Sequence, residues 1–280
     1  MQVMFDKKVI DYYKSIESRL TYFCLKGIKH FGYFPQGHED ISVASAQRLM
    51  IEKVFNKLEL KSDFILDAGC GEGETICYLA NKFNIKGVGI DILDFNIRRA
   101  NKKKIKFGIS NQVKFQVMDY ADTNFGDQTF DAIITMESLV HTPDYKKALK
   151  EFHRILKPGG KWGLLEYTIA PVDKFPLDLR PLMNIIIQRS GMHSLPYFLH
   201  GKLTEILKDS RFSVVSEENV TANVVPMFRK TYPWVCLPYK LVKTLKLQKH
   251  FVNIVSAAEG FLNFIPFDLW RENIIIGQKI

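Results

Sequence analysis

The 280-residue chain is 46% hydrophobic and carries 39 basic against 30 acidic residues, a net charge of +9. The apolar content supports a substantial core in one large α/β domain with insertions and excludes disordered and fibrous classes. The positive balance suits nucleic acid, an anionic membrane surface or an acidic substrate, and charge alone does not choose among them. Cys24, Cys70, Cys77 and Cys236 form no C-x-x-C pair and no metal-ligand spacing, so a reducing compartment is expected rather than a disulfide framework or a metal site. Met1 to Lys8 carries no signal-peptide apolar region and no run of about 18 apolar residues occurs, which reads as a soluble, cytosolic protein.

Residues 5 to 40 are rich in aromatics, among them Tyr12, Tyr13, Tyr22, Phe23, Phe31, Tyr33 and Phe34. The pattern predicts a helix over Val9 to Ser18, then an irregular segment through Gly32, Pro35 and Gly37. Ser42 to Leu60 reads as an amphipathic helix, with Ala46, Leu49, Met50, Val54 and Leu58 at helical spacing.

The stretch Phe64-Ile65-Leu66-Asp67-Ala68-Gly69-Cys70-Gly71-Glu72-Gly73 predicts a buried parallel strand and a glycine turn into a helix over Glu74 to Phe83. Bare backbone at Gly69, Gly71 and Gly73 lets a ligand approach the amides of the helix N-terminus. The spacing is G-x-G-x-G, not the dinucleotide G-x-G-x-x-G, and Asp67 precedes it. A carboxylate there repels a pyrophosphate and suits a ligand with a positive charge, such as an amino group beside a sulfonium. The next strand, Lys86 to Asp91, closes on an acid 20 residues beyond Gly71, where a βαβ nucleoside site places the carboxylate that accepts both ribose hydroxyls.

Arg98 to Lys106 is the densest basic run. Lacking interleaved aromatics, it reads as a solvated helix face. Strands follow at Val113 to Val117 and at Phe130 to Thr135. Open α/β sheets bind ligands beyond the C-terminal ends of their strands, so Glu137 and His141 fall where chemistry is expected, on one face if the segment is helical. Histidine suits proton removal near neutral pH, and Glu137 suits stabilisation of a developing carbocation. Asp144 to Leu156 predicts a helix stopped by Pro158-Gly159-Gly160, followed by a strand over Trp162 to Tyr167. Glu166 at its end opens onto the same edge, or caps or pairs locally. A helix over Leu203 to Leu207, a strand over Phe212 to Ser216 and a final strand over Asn273 to Gly277 complete the pattern.

Leu66 to Gly73 resembles the first motif of class I S-adenosylmethionine-dependent methyltransferases, and Gly89-Ile90-Asp91 their second. Met136-Glu137-Ser138-Leu139-Val140-His141-Thr142-Pro143-Asp144 and Leu156-Lys157-Pro158-Gly159-Gly160 are similar to the group containing the sterol and tocopherol C-methyltransferases. The similarity is strong in the cofactor half and weak in the substrate half. It implies a Rossmann-like doubly wound α/β fold with a seven-stranded sheet, the last strand antiparallel, and helical substrate-cap insertions. It divides the chain into residues 1–60 (helical lid and first sheet-covering helix), 61–170 (cofactor-binding core) and 171–280 (remaining core strands with caps at 171–200 and 221–271).

The resemblance also implies S-adenosyl-L-methionine as cofactor. It places Tyr33 of the N-terminal lid near the methyl-bearing sulfur, Asp119 on the adenine amino group with Tyr120 flanking the ring, and Ala68, Ile92 and Met136 beside Asp67, Gly69, Gly71 and Asp91 in the seat. His141 and Glu137 are the catalytic candidates. The caps, Pro171 to His200 and Thr221 to Arg271, hold many apolar and aromatic residues. They suggest a lipophilic small-molecule acceptor, or else a homodimer interface or peripheral membrane contact. C-methylation is expected first, N- or O-methylation of a small natural product second. Nucleic-acid methylation is disfavoured because no Asp-Pro-Pro-Tyr-like or Pro-Cys motif occurs.

Overall fold

The computed structural model describes residues 6–25, 27–60 and 64–280. Met1 to Phe5 and the side chain of Tyr22, both part of the sequence reading, lie outside the described residues. Seven strands form one sheet in the order β3-β2-β1-β4-β5-β7-β6. These are β1 (Phe64–Ala68), β2 (Lys86–Asp91), β3 (Val113–Val117), β4 (Phe130–Met136), β5 (Leu156–Ile169), β6 (Phe212–Asn219) and β7 (Trp270–Lys279). β1 to β5 pair parallel, and β7 runs antiparallel between β5 and β6. The order reverses between β1, which continues to β2 and β3, and β4 on its other side. This is the switch point at which such sheets open a ligand crevice.

Helices α3 (Val43–Leu58), α4 (Glu74–Phe83), α5 (Asp94–Lys106), α6 (Tyr145–Ile155) and α8 (Lys202–Asp209) cover the sheet. α3 follows its sequence pattern: Ser42 caps it by accepting from the Ser45 amide at 3.1 Å, and Ala46, Met50, Val54 and Leu58 face inward with no exposure. The basic face of α5 is solvated, with Arg99 and Lys103 paired to Glu72 and Glu74. Under β4 and β5 the core is aromatic: Trp162, Phe130, Phe152 and Phe212 are fully buried, and the Trp162 Nε1–H donates to Thr135 Oγ1 at 3.0 Å.

Three elements depart from the sequence pattern. The expected helix over Val9 to Ser18 is two helices, α1 (Lys7–Lys14) and α2 (Ile16–Cys24), because Ser15 leaves helical geometry (φ −59°, ψ 150°) and caps the second by accepting from the Ser18 amide. β5 starts at Leu156 rather than Trp162. Phe130 pairs with Leu156 and Ala132 already with Lys161, so Pro158-Gly159-Gly160 forms a bulge inside the strand. The second cap ends before Trp270 and Arg271, which belong to β7.

The caps hold α7 (Arg180–Arg189), α9 (Thr221–Thr244), α10 (Val252–Glu259) and a π-helical turn over Gly260–Phe264. With α1 and α2 they roof the C-terminal ends of β1, β4 and β5. Among the described residues no helix is long and apolar enough to cross a membrane.

Candidate active site

Beyond the strand ends lies a large cavity of about 1210 Å³. Pockets for one small ligand usually measure about 300–1,000 Å³, so this one has room for two molecules side by side. One wall is the glycine turn with the ends of β2 to β4, and the opposite wall is the lid and caps.

Gly69 and Gly71 both have positive φ, +80° and +52°. At Gly69 a Cβ would lie 2.5 Å from Ser138 Cβ, so the turn tolerates no side chain there. Ser138 also clasps the two loops, its Oγ–H donating to the Ala68 carbonyl at 2.7 Å while its own carbonyl accepts from the Tyr120 hydroxyl at 2.8 Å. Ser138 lies inside the motif after β4, yet its position alone carried no signal of this role.

Asp67 is 1% exposed, and its Oδ2 has no hydrogen-bond partner although the residue lines the cavity. Burial pushes its carboxyl up to about 7, Asp91 adds repulsion, and the Ile76 amide counters by bonding the ionised form. A buried, unpaired carboxylate oxygen is costly. A cationic ligand relieves it. Asp91 accepts from the Gly71 amide (2.9 Å), the Leu93 amide (2.8 Å) and Asn96 Nδ2 (3.3 Å), and burial raises its pKa to about 6. Ile92, Asp119, Tyr120 and Met136 also line the cavity, and Asp119 accepts from the Ala121 amide at 2.8 Å. Ala68 does not; it is buried in β1 with its carbonyl engaged by Ser138.

Tyr33 is not among the residues lining the cavity; its amide donates to the Ala46 carbonyl (2.9 Å) at the head of α3, and Lys53 Nζ lies 4.4 Å from its ring centroid. Phe31 takes the inward place, stacked on Phe228 (5.0 Å) and edge-on to Trp270 (5.3 Å). Gly32 makes the turn possible, since a Cβ there would sit 2.7 Å from Ala46 Cβ.

Glu137 and His141 both line the cavity but share no helix face. Glu137 has φ +52° and only a single 3-10 turn follows, over Leu139–His141. The Glu137 carboxylate accepts from the Phe31 amide at 2.6 Å, tying lid to sheet. Burial holds its pKa well above the carboxylate range, and Glu166 nearby pushes the same way. Glu166 itself accepts locally from the Tyr167 amide (3.2 Å) and across to the turn after β4 from the Val140 amide (2.9 Å), and burial lifts it to about 8. The sequence reading passed over a third carboxylate. Glu272 on β7 is fully buried with neither oxygen partnered, and burial beside Glu137 and Glu166 pushes its pKa well up.

His141 Nδ1 lies 3.2 Å from the Gly191 carbonyl and Nε2 3.1 Å from the Tyr13 hydroxyl. A carbonyl only accepts, so Nδ1 carries the proton and Nε2 accepts from Tyr13. Burial lowers the imidazole pKa to about 4, which keeps the ring neutral. Lys29 Nζ lies over the Tyr13 ring at 4.4 Å, and burial drops its pKa to about 7 against the pull of Glu17. Tyr13 and Lys29 both line the cavity. Aromatic content marked the segment, but pairing across 128 residues left no trace in spacing.

The site therefore belongs to an α/β enzyme whose switch-point crevice seats a nucleoside carrying a cationic tail. A family described as a methyltransferase domain matches residues 65–160. The chain is 31% identical over 276 residues to the S-adenosyl-L-methionine-dependent Diels-Alderase iccD of Talaromyces variabilis, covering 96% of this chain and 93% of that protein. It is 27% identical to the sterol 24-C-methyltransferase erg-4 of Neurospora crassa, covering 69% of this chain but only 48% of that one. The fold is shared with geranyl diphosphate C-methyltransferase from Streptomyces coelicolor A3(2), with TM-score 0.74, 17% identity and 99% of each chain covered. The chain belongs to the S-adenosylmethionine-dependent methyltransferase family and acts on small molecules. The unpartnered Asp67 oxygen and the Gly69 cradle fit S-adenosyl-L-methionine.

Proposed function

We propose that this enzyme methylates a lipophilic small molecule, an isoprenoid, sterol-like or other natural-product acceptor, with carbon the favoured methyl-accepting atom and nitrogen or oxygen the alternative. The observation that carries the reading is the two-molecule cavity, whose far wall is built from apolar side chains such as Phe31, Met183, Phe228, Phe264 and Trp270.

When bound, the cofactor supplies an electrophilic methyl group on a sulfonium. Asp67 and the glycine turn hold its cationic tail, Asp91 its ribose, and Asp119 with Tyr120, Ile92 and Met136 its base. Phe31 presents an aromatic surface toward the same space and excludes water. Orientation of the two partners supplies most of the effect, up to about 7–11 kcal/mol. Tyr13 takes the acceptor's proton as it yields its own to His141 Nε2, and the Gly191 carbonyl fixes the tautomer that leaves Nε2 open. Glu137 enters ionised only when positive charge develops in the cavity, since burial otherwise keeps it protonated.

A second reading follows from the full-length similarity to a Diels-Alderase. The same cavity folds a polyene for cyclisation, with the cofactor as a fixed wall. The neutral His141, a weak base at about 4, favours it. Incubation of the protein with lipid extract and methyl-labelled cofactor separates the two. Methyl transfer puts label and one extra CH2 into an organic-extractable product, whereas cyclisation gives an unlabelled isomer of unchanged mass.

A further inference from the structure

α2 and α9 both line the cavity, and their exposed residues Leu20 and Trp234 mark a place where it meets solvent. On α9 and at its C-cap, Trp234, Leu237, Leu241 and Leu245 are between 56% and 83% exposed. At 100° per residue they fall within about 80° of the helix circumference, a continuous stripe. α2 exposes Ile16, Leu20 and Phe23, each between 60% and 87%. Leu20, Trp234 and Pro238 also line the cavity, so the apolar rim and the apolar interior are one surface.

On the α9 side of this rim the charge has one sign, while α2 carries both Glu17 and Arg19. From Thr221 to Ala258 the chain contains no Asp or Glu, but carries Arg229, Lys230, Lys240, Lys243, Lys246 and Lys249, all exposed. A second copy applied to this face would set like charges against like, which disfavours a symmetric dimer. An anionic lipid surface offers both what the stripe and what the lysines require. Apolar side chains enter the acyl boundary, tryptophan favours the headgroup level, and basic residues pair with lipid phosphates. No helix among the described residues can cross a membrane, so the contact is peripheral.

We propose that the α2/α9 rim docks on anionic bilayers, so that a lipophilic acceptor passes from the membrane into the cavity without crossing water. The proposal rests on the lipophilic-acceptor reading. The test is co-sedimentation of the full chain with phosphatidylcholine vesicles, with and without phosphatidylserine, at low and high salt. Binding is expected only with phosphatidylserine and weakens as salt shortens the reach of the charges. The double variant Leu237→Glu/Leu241→Glu, outside the cavity lining, lowers the bound fraction about tenfold or more while melting temperature and cofactor affinity are unchanged. Charge reversal at Lys240→Glu/Lys243→Glu gives a second, independent loss. Absence of vesicle binding, binding that both variants leave intact, or a dimer by light scattering that the leucine variant dissociates would overturn the docking. Failure of the acceptor reading looks different: vesicles still bind, but label appears only in water-soluble products.

Discussion

The glycine-turn half and the cap half of this enzyme face each other across one cavity and obey different rules. On the sheet side, polar groups are prescribed one by one: Asp67 Oδ2 left without a partner, Asp91 drawing in the Gly71 and Leu93 amides, and Gly69 pressed against Ser138. On the cap side the cavity wall is largely apolar, as where Phe31 stacks on Phe228 and both meet Trp270 edge-on. A fixed cofactor needs fixed charges and hydrogen bonds, while an apolar acceptor needs volume. The methyltransferase-domain family accordingly matches residues 65–160, while the similarity to iccD extends over both halves.

The sharpest way to break this division is Gly69→Val. Its strained φ and its contact with Ser138 should cost about 2–5 kcal/mol in the turn and weaken cofactor binding at least about 30-fold by calorimetry. Near-wild-type affinity would remove the turn from the cofactor seat.

Comparable in size is the effect at the Tyr13–His141 pair. His141→Ala and Tyr13→Phe should each lower kcat by about 10² to 10⁴ with cofactor affinity within about twofold. A structural pair would instead lower the melting temperature and leave the rate per folded molecule unchanged. If cyclisation is the reaction, both variants should keep most of the rate, because no proton moves.

Asp91→Ala should weaken cofactor binding by about 1–3 kcal/mol. It also removes the acceptor for the Gly71 amide, so Asp91→Asn, which keeps one oxygen, should lose less. Equal losses would mean that Asp91 acts only through its charge.

The smallest effect is on pH dependence. Asp67 titrates at about 7 in the fold against an ordinary 3.8, so the fold favours its protonated form and the unliganded protein loses stability as pH rises through about 7. A cationic ligand favours the ionised form. Cofactor affinity should therefore climb as pH rises to about 7 and level off above it, by at most tenfold per unit, and Asp67→Asn should flatten that part of the curve. An unchanged slope in the variant would assign the titration to another group.

Local chemistry decided what could be read beforehand. Asp67, Gly69, Gly71 and Asp91 lie in one βαβ unit, where spacing along the chain maps directly onto spacing in the fold, and β2 and α4 run as read. The neighbouring strands β5 and β7 also formed, and α6 ends at Ile155 just ahead of Pro158-Gly159-Gly160, but β5 starts at Leu156 and takes that segment in as a bulge because β-pairing overrode turn propensity. In the irregular lid segment spacing does not tell which aromatic turns inward; there Phe31 lines the cavity while the Tyr33 amide bonds Ala46. Tyr13 with His141, and Glu137 with Glu272, are brought together by tertiary packing of distant segments, for which one sequence has no periodic signature. α9 passed unread through Pro226, Pro233 and Pro238, residues that ordinarily end helices.

The central claim is that one cavity brings S-adenosyl-L-methionine and a lipophilic acceptor together for methyl transfer. The most direct test is untargeted mass spectrometry of lipid extracts incubated with the enzyme and cofactor carrying an isotopic methyl group. The account predicts an organic-extractable product that carries the label and is heavier than its precursor by one CH2, and that is lost in Gly69→Val. Label confined to nucleic acid or protein, or a new product isomeric with its precursor and free of label, would contradict it.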